Sequence, residues 1–297
     1  MFATALNERR RKAHSESKRK MKTITTNSRY FNAKDTLECG QIFRFSPLGD
    51  GYLVLSADKA CVVATKGDTT TIGCEDEDEE YFRNYFDLAT DYESINARAK
   101  SSGFLILEKA ADVGSGVRIL RQNPTEMLFS FLVSQNNNIP RIKGIIGKLC
   151  DALGEEKRSL GAVRHTFPSL SALKSADLGF YKSIGLGYRA EFFKDLADAV
   201  TPSFIDELSE CDGITLKKRL LSLRGIGDKV ADCVRLFGFY KTDSFPVDVW
   251  IEKIYREDFS GTEKNREKIS AYFSGLFGAD SGFFQQYLFH YKRNLEK

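Results

Sequence analysis

The stretch LRGIGDKVADC, residues 223–233, places a lysine directly after a turn that contains two glycines. Glycine permits positive φ angles and close approach of another backbone, and the free amides at the start of the next helix favour a bound phosphate. Lys229 lies in the first turn of that helix, where the positive end of the helix dipole disfavours a cation and favours the neutral amine. A neutral amine is a nucleophile that can form a Schiff base.

The neighbours of Lys229 act on the amine in opposite directions. Asp228 favours the charged ammonium, whereas Cys233 and Phe237, further along the same helical face, are expected to form an apolar wall that favours the neutral amine. The glycines follow a helix rather than a strand, which argues against a dinucleotide-binding site. By itself, the motif is equally typical of a packing turn followed by a solvated surface lysine.

A carboxylate follows Lys229 after nineteen residues, in the stretch FPVDVW. Asp248 precedes an amphipathic segment, so the simplest expectation is that it caps a helix. The preceding proline and the apolar neighbours indicate that it is partly buried. A carboxylate near a lysine nucleophile would stabilise positive charge that develops on a sugar, or would help to transfer protons.

The elements that must position these residues change character along the chain. Residues 40–73 contain short runs of β-branched and aromatic residues broken by Gly and Asp, a pattern typical of antiparallel strands. The acidic run at residues 75–80 then precedes aromatic residues at helical spacing, which favours a solvated helix start over a metal site. We therefore predict a β-rich N-terminal domain over residues 23–120.

From residue 121 onward the apolar pattern is helical and stays so. Asn123 and Pro124 are a typical helix start, because Asn caps well and Pro suits the first helical position. We predict an all-α body over residues 121–297, in which a helical hairpin at about residues 215–238 carries Lys229. The predicted fold class is thus α+β.

The formal net charge of +3 is unevenly distributed. Residues 1–22 carry eight Lys/Arg against two Glu, and the remaining residues together carry a net charge of −3. We predict a disordered basic tail over residues 1–22; a basic arm on nucleic acid and a natural start at Met21 are the alternatives. Because the body is not basic, binding of nucleic acid would depend on local sites.

The distribution of cysteine and histidine argues against a metal centre. The six cysteines form no Cys-x-x-Cys pair and the three histidines are far apart, so neither an iron–sulfur cluster nor a zinc site is expected. The cysteine pattern favours a reducing, intracellular compartment, with bacterial nucleoid and eukaryotic nucleus both open. No apolar run reaches the roughly 18 residues of a membrane span, so no membrane association is expected.

The segment LRGIGDKVADCVRLFGFYKTDSFPVDVW resembles the helix-hairpin-helix and Gly/Pro–Asp signature of DNA glycosylases. KVADC and the Lys-to-Asp spacing are similar to the 8-oxoguanine DNA glycosylase/AP lyase family in particular. Further motifs are similar in the same order, over about residues 30–293: LECGQIFRF, GVRILRQNP, FSFLVSQNNNIPRI, GLGYRAEFF and GFFQQYLF. The resemblance implies an antiparallel, TBP-like sheet domain followed by an all-α glycosylase body.

The resemblance also implies a function, the excision of 8-oxoguanine opposite cytosine from duplex DNA by base flipping. Lys229 would attack C1′ and form the Schiff base that permits β-elimination, and Asp248 would support the cationic transition state. The base pocket would comprise Gly40, Cys233, Phe237, Gln285 and Phe289. The Gly40 carbonyl would accept the N7 hydrogen that 8-oxoguanine has and guanine lacks.

The resemblance assigns DNA contacts to a second set of residues. Asn136 would fill the space of the extruded base, Arg141 would bind the opposite cytosine, and Tyr188 and Arg189 would form the wedge and its neighbouring contact. The remaining expected DNA contacts are Gly225, Gly227, Val230 and Trp250. Trp250 stands where many animal members carry histidine, which brings the chain closer to bacterial-type members, and Phe237 occupies a position that is not always aromatic.

The resemblance implies no redox cofactor, no catalytic metal and no iron–sulfur cluster. A structural cation on the carbonyls of Leu221, Leu223 and Ile226 is compatible with the resemblance. The expected state is a monomer, and its expected partner is damaged duplex DNA. Two alternatives remain at this stage: a related helix-hairpin-helix glycosylase for another damaged base, and a non-catalytic DNA-binding module. The second would make Lys229 and Asp248 dispensable.

Overall fold

The computed structural model describes residues 20–295, so residues 1–19 of the predicted tail lie outside the described residues. The first strand begins at Met21, within the range assigned to that tail. Met21 and Lys22 pair with Glu75 and Cys74 in the sheet. The predicted boundary at residue 22 is therefore two residues too late.

A five-stranded antiparallel sheet forms the N-terminal part of the described chain. Its spatial order is β1-β5-β4-β3-β2, so the first strand, which the sequence pattern did not reveal, lies at one edge. Alternate side chains such as Val54, Val63 and Ile72 are fully buried on one face, as the period of two in a strand requires. The strands are β1 (Met21–Asn27), β2 (Phe45–Leu48), β3 (Gly51–Ser56), β4 (Lys59–Lys66) and β5 (Thr69–Glu75).

Four helices accompany the sheet: α1 (Ala33–Glu38), α2 (Glu79–Tyr85), α3 (Tyr92–Lys100) and α4 (Leu105–Val113). The acidic run leads through a short 3₁₀ turn into α2, so the predicted helix start is present. The expectation that the run is solvated is wrong in part, because Glu75 and Asp78 are buried and Asp78 pairs with Lys59 at 2.5 Å. Phe82 and Tyr85 of α2 pack into the sheet's own core. Tyr92 and Leu107, by contrast, belong to the core of the helical body, although Leu120 packs in the core of the sheet, so the two cores do not separate at residue 120.

The helical body contains eleven helices among the described residues. They are α5 (Pro124–Val133), α6 (Ile139–Leu153), α7 (Leu170–Ser175), α8 (Leu178–Ser183), α9 (Arg189–Ala199), α10 (Pro202–Ser209), α11 (Gly213–Leu221), α12 (Asp228–Phe237), α13 (Val249–Glu257), α14 (Arg266–Phe277) and α15 (Ser281–Leu295). Asn123 caps α5 through its side chain, as predicted. No helix in residues 20–295 is long and apolar enough to span a membrane.

A small β-hairpin interrupts this body, so the expectation of uninterrupted helix after residue 120 is wrong there. Strands β6 (Glu156–Ser159) and β7 (Ala162–His165) pair in antiparallel register. The two turn residues, Leu160 and Gly161, both have positive φ, at 51° and 75°. Positive φ at both central positions is the geometry of the tight turns that join hairpin strands.

The α11–turn–α12 segment is the predicted helical hairpin. Gly225 has φ +88°, and a Cβ placed on it would stand 2.6 Å from Cβ of Phe192 on α9. Only glycine therefore fits this turn without displacing its neighbour. The fold packs the hairpin against the α5–α6 and α9 region and sets the start of α12 at the surface.

Candidate active site

Lys229 is the second residue of α12, half-buried at the helix start. Gly227 is the N-cap residue and provides no side-chain cap to the first-turn amides. The first-turn amides at this end are thus free of a side-chain cap and available to a phosphate. The predicted juxtaposition of a glycine turn and a nucleophilic amine is present.

Asp228, whose role the sequence left open, is paired with the preceding helix of the hairpin. Its carboxylate lies 3.7 Å from Nζ of Lys217 on α11. The same ammonium lies 3.2 Å from the buried carboxylate of Asp232, one turn further along α12. Lys217 thus ties α11 to α12 and offsets the acidic charge beside Lys229.

Asp248 is the N-cap residue of α13, as the sequence predicted. Its Oδ1 accepts hydrogen bonds of 3.0 Å from the backbone amides of Trp250 and Ile251. Burial raises the pKa of Asp248, while those two hydrogen bonds and the charge of Lys229 act to lower it. Lys229 and Asp248 therefore lie within electrostatic reach of each other, on the starts of two different helices.

Cys233 lies one turn beyond Lys229 on α12 and is 4% exposed. Burial raises the pKa of its thiol to about 12, so it is uncharged at neutral pH and acts as an apolar surface. Phe237, one turn further, is also buried, and its ring stacks on Phe131 with centroids 5.5 Å apart. The structure thus places Phe237 in the packed core behind Cys233 rather than free in a cavity.

Gly40 brings the N-terminal domain to the last helix. Gly40 has φ +86°, and a Cβ placed on it would lie 3.5 Å from Cε1 of Phe289 on α15. Gln285 is one turn before Phe289, and its amide nitrogen donates a 3.2 Å hydrogen bond to the carbonyl of Pro246, just ahead of Asp248. The predicted pocket residues Gly40 and Phe289 therefore meet between the α1–β2 loop and α15, and Gln285 connects α15 to the segment just before Asp248.

A residue that the sequence reasoning missed holds the Gly40 loop. The amide nitrogen of Gln41, which is fully buried, donates to the carbonyls of Thr36 at 2.9 Å and Arg118 at 2.7 Å. Its amide oxygen accepts from the backbone amide of Leu120 at 2.9 Å. A glutamine among apolar residues directly after Gly40 was the available signal, because a buried amide must find such partners.

The four predicted DNA-contacting residues around the α5–α6 loop also meet. Asn136 has φ 44°, a strained value for a non-glycine residue. Tyr188 is 56% exposed. Arg141 donates from Nη2 to the Gly185 carbonyl at 3.1 Å. An exposed aromatic ring and two polar side chains thus border one surface.

Two residues that the sequence assigned to DNA contact are too buried for their side chains to reach the DNA. Arg189 is 2% exposed, and its guanidinium donates to the carbonyls of Gln135 at 2.6 Å and Asn136 at 2.7 Å. It therefore positions the loop rather than presenting a free contact. Val230 is 4% exposed, so only its backbone is available at the helix start, whereas Trp250 is half-buried in the first turn of α13.

The hairpin turn is linked to the same loop, since the amide nitrogen of Gln135 donates to the carbonyl of Gly225. Gly227, at the end of the turn, is exposed. A surface cavity of about 750 Å³, lined by residues such as Phe167 and Ile205, lies elsewhere and contains none of the predicted site residues. In residues 20–295 no group of three or more His, Cys, Asp or Glu could hold a metal ion.

The arrangement combines a lysine amine, a carboxylate that caps a helix, a buried thiol one turn from the lysine and a glycine turn suited to a phosphate. Together these groups suit chemistry at a nucleotide sugar whose base leaves the stack. A family model described as "8-oxoguanine DNA glycosylase, N-terminal domain" matches residues 23–128. The probable N-glycosylase/DNA lyase of Methanothermobacter thermautotrophicus is 30% identical over 232 residues, which are 70% of this chain and 72% of that protein.

The chain belongs to the 8-oxoguanine DNA glycosylase/AP lyase family. The structure of the Clostridium acetobutylicum 8-oxoguanine glycosylase/lyase with dsDNA containing cytosine opposite 8-oxoG matches with a TM-score of 0.85 and 30% identity, over 94% of this chain and 99% of that one. The N-glycosylase/DNA lyase of Saccharomyces cerevisiae is 33% identical over 168 residues, 52% of this chain and 45% of the yeast protein. The predicted family and α+β fold are confirmed, and the chain has the family's N-glycosylase and lyase activities.

Proposed function

We propose that this enzyme excises 8-oxoguanine, preferably opposite cytosine, from duplex DNA and then cleaves the strand. The observation that carries the proposal is the placement of Lys229 and Asp248 on two helix starts, within electrostatic reach of each other. Phe289 packs against Gly40 and lies on the same helix as Gln285, which donates to the carbonyl of Pro246 just before Asp248. This arrangement supports Lys229 as the nucleophile and Asp248 as the stabilising carboxylate. The related enzymes act on DNA, so the chain is an intracellular, DNA-associated protein.

In the proposed reaction the amine of Lys229 bonds to C1′ of the flipped nucleotide as the C1′–N9 bond breaks. The bonding pair leaves with the base, which takes up a proton, while Asp248 stabilises positive charge on the sugar. Opening of the C1′–O4′ bond then gives a Schiff base between Lys229 and C1′. Loss of a C2′ proton expels the 3′ phosphate, which is β-elimination.

Discrimination against guanine is proposed to reside at the Gly40 carbonyl. 8-Oxoguanine carries a hydrogen on N7, which this carbonyl would accept. Guanine has a bare N7 acceptor, which would leave the carbonyl unsatisfied at a cost of about 1–3 kcal/mol. Gln285 would read the Watson–Crick edge, and Phe289 and Cys233 would cover the two faces of the base.

The DNA itself is proposed to lie across the α5–α6 loop and the hairpin. Asn136 and Tyr188 would occupy the space left by the flipped nucleotide, and Arg141 would bind the orphaned cytosine. Backbone amides at Gly225, Gly227 and Val230, together with Trp250, would contact phosphates. Arg189 would act by holding the Asn136 loop, as its hydrogen bonds indicate.

We propose that the reaction needs no redox cofactor. The carbonyls of Leu221, Leu223 and Ile226 lie at the end of α11 and in the turn, where backbone oxygens fall outside the helical hydrogen bonding. Neutral oxygen donors suit a hard cation, so this set fits a structural ion that would strengthen phosphate binding there. A monomer is proposed as the active species, to be tested by light scattering of the free protein and of its DNA complex.

The decisive experiment is borohydride trapping on a duplex that contains one 8-oxoguanine. Wild type is expected to give a covalent adduct, and Lys229→Gln none, because only an amine forms the reducible Schiff base. Lys268→Gln, at an exposed position on α14, is the matched control and should trap like wild type. An equal adduct with Lys229→Gln would refute the mechanism.

A panel of damaged bases tests the substrate separately. Stronger excision of an alkylated base or an oxidised pyrimidine than of 8-oxoguanine would point to the related glycosylase instead. Absence of both excision and strand nicking on every duplex would leave only a DNA-binding module.

A further inference from the structure

Arg293, in the last turn of α15, joins three parts of the base pocket. Its Nη2 donates a hydrogen bond to the carbonyl of Glu38, two residues before Gly40. Its guanidinium carbon lies 5.3 Å from the ring centroid of Phe289, one helical turn earlier. Its Nη1 lies 3.6 Å from the position that a Cβ on Gly40 would occupy.

The guanidinium of Arg293 makes fewer hydrogen bonds than its N–H groups could donate. Nε and Nη1 of Arg293 are buried and have no hydrogen-bond partner among the described residues. An unpaired buried donor is unfavourable, so stability alone does not favour an arginine at this position. The charge also reaches Cys39, whose pKa it lowers, although burial raises that pKa to about 12.

Gln41 attaches the Gly40 loop to the N-terminal domain. Gln41 anchors it to Thr36 and Arg118 of the N-terminal domain. That anchor does not reach α15, the helix that carries Phe289 and Gln285. The hydrogen bond from Arg293 to Glu38 links this loop to α15 close to Gly40, and His290 on α15 lies 3.7 Å from the carboxylate of Asp35 on α1. Because the Arg293 bond is the nearer of the two to Gly40, we expect it to set the distance between the Gly40 carbonyl and the Phe289 ring.

We propose that Arg293 is a positioning residue for the base pocket, and this inference rests on the proposed function. It holds the loop at residues 38–40 against α15, and its stacking on Phe289 restricts the ring to the orientation that covers the base. If the Gly40 loop and α15 move apart, the distance from the Gly40 carbonyl to N7 of the base increases and the N7 hydrogen bond is lost. Arg293 therefore acts on recognition of the base and leaves Lys229 untouched.

The two steps of the reaction separate this role from a merely structural one. Excision of 8-oxoguanine requires the pocket, whereas β-elimination at a preformed abasic site involves no base. A positioning defect should therefore impair the first step and spare the second. A general loss of folded enzyme would reduce both steps equally.

The test compares Arg293→Met, Arg293→Lys and wild type in single-turnover excision, and in cleavage of a preformed abasic site. Arg293→Met should excise 8-oxoguanine roughly tenfold or more slowly and should discriminate less well against guanine. Its cleavage of the abasic site should stay within about twofold of wild type. Arg293→Lys keeps one donor and the charge, and should lie between the two. Arg158→Met, at an exposed position on β6, makes the same chemical change away from the pocket and should match wild type.

Unchanged excision by Arg293→Met would overturn the proposal, and so would an equal decrease in both steps with a lowered melting temperature. A wild type that traps no adduct and excises no 8-oxoguanine would instead refute the proposed function. The two failures are thus distinguishable in one set of assays.

Discussion

At the residue scale, the candidate site contains carboxylates whose charge is disfavoured by burial and balanced by nearby donors or cations. Asp248 is half-buried and burial raises its pKa, yet two backbone amides and the charge of Lys229 favour its carboxylate form. Asp228 and Asp232 share the ammonium of Lys217. The proposed reactive residues Lys229 and Asp248 therefore lie at helix starts. The acidic charges next to Lys229 are balanced by Lys217 on the preceding helix.

Asp248→Asn is expected to abolish excision while stabilising the fold at neutral pH. Burial raises the native pKa of Asp248, so the native state prefers the protonated form, and stability is lost as pH rises through that pKa. Asparagine keeps the cap without the buried charge. The melting temperature should therefore exceed that of wild type at pH 7, and the difference should shrink toward about pH 4.

Excision by the same variant should fall about 100-fold or more at pH 7, since the carboxylate is lost. In wild type, excision should decline on acidification through a pKa above that of a free aspartate. A melting temperature below wild type at pH 7, or excision at the wild-type rate, would contradict the assignment.

Arg141→Ala is expected to relax the preference for cytosine opposite the lesion. A base-edge arginine is worth about 1–3 kcal/mol of discrimination, or roughly 5- to 150-fold in the ratio of excision rates. The ratio of rates opposite cytosine and adenine measures it. Lys148→Ala, exposed on the same helix, is the control. Wild-type excision that is equal opposite all four bases would refute the role.

At the element scale, the site is assembled by turns that hold helix ends together. The hairpin turn is seated against α9 at Phe192 and against the α5–α6 loop through Gln135. Arg189 holds that loop from the other side. The hairpin and the Asn136 loop are thus parts of one surface.

Gly225→Ala is expected to damage this surface, because a Cβ at φ +88° would stand 2.6 Å from Phe192. Overpacking of this kind costs about 1–3 kcal/mol of unfolding free energy, and affinity for an abasic duplex should decrease as well. Gly144→Ala on α6 is the matched control, since the space around it is open and helical alanine is favoured over glycine. Chemical denaturation and DNA titration measure both effects; a Gly225→Ala variant as stable as Gly144→Ala would contradict the argument.

At the scale of the whole molecule, a buried carboxylate joins the N-terminal helices to the catalytic body. Asp87, at φ 53°, accepts from Tyr92 at 3.0 Å, from Arg121 at 2.7 Å and from Tyr240, which follows α12. The guanidinium of Arg121 lies over the Tyr240 ring, 3.5 Å from its centroid. This cluster ties α3 and the linker before α5 to the end of the catalytic helix.

Asp87→Ala is expected to lower the unfolding free energy by about 3 kcal/mol or more, because it leaves Arg121 and two tyrosine hydroxyls without their acceptor. Asp112→Ala removes a carboxylate that is 66% exposed and paired with Lys100, and should cost less than about 1 kcal/mol. Urea denaturation compares the two variants, and similar losses would contradict a role for Asp87 in joining the domains.

Much of this molecule is predictable from local pattern. The caps at Asn123 and Asp248, the glycine hairpin and the helical periodicity depend on residues a few positions apart, so the sequence displays them directly. The β6–β7 hairpin was missed because its turn uses Leu160 at positive φ, which the residue type does not announce. The early strand β1 was missed because its partner, β5, lies some fifty residues away.

The sequence alone predicted the candidate pair Lys229 and Asp248, the change from a β-rich part to a helical body, and the family resemblance that assigns the pocket residues. Only the tertiary structure decided which side chains hold that pocket together. Arg293 and Glu38 are 255 residues apart, and Arg189 supports a loop that precedes it by more than fifty residues. Such contacts depend on how the chain folds back on itself, because packing brings together groups whose separation in sequence carries no periodic signal.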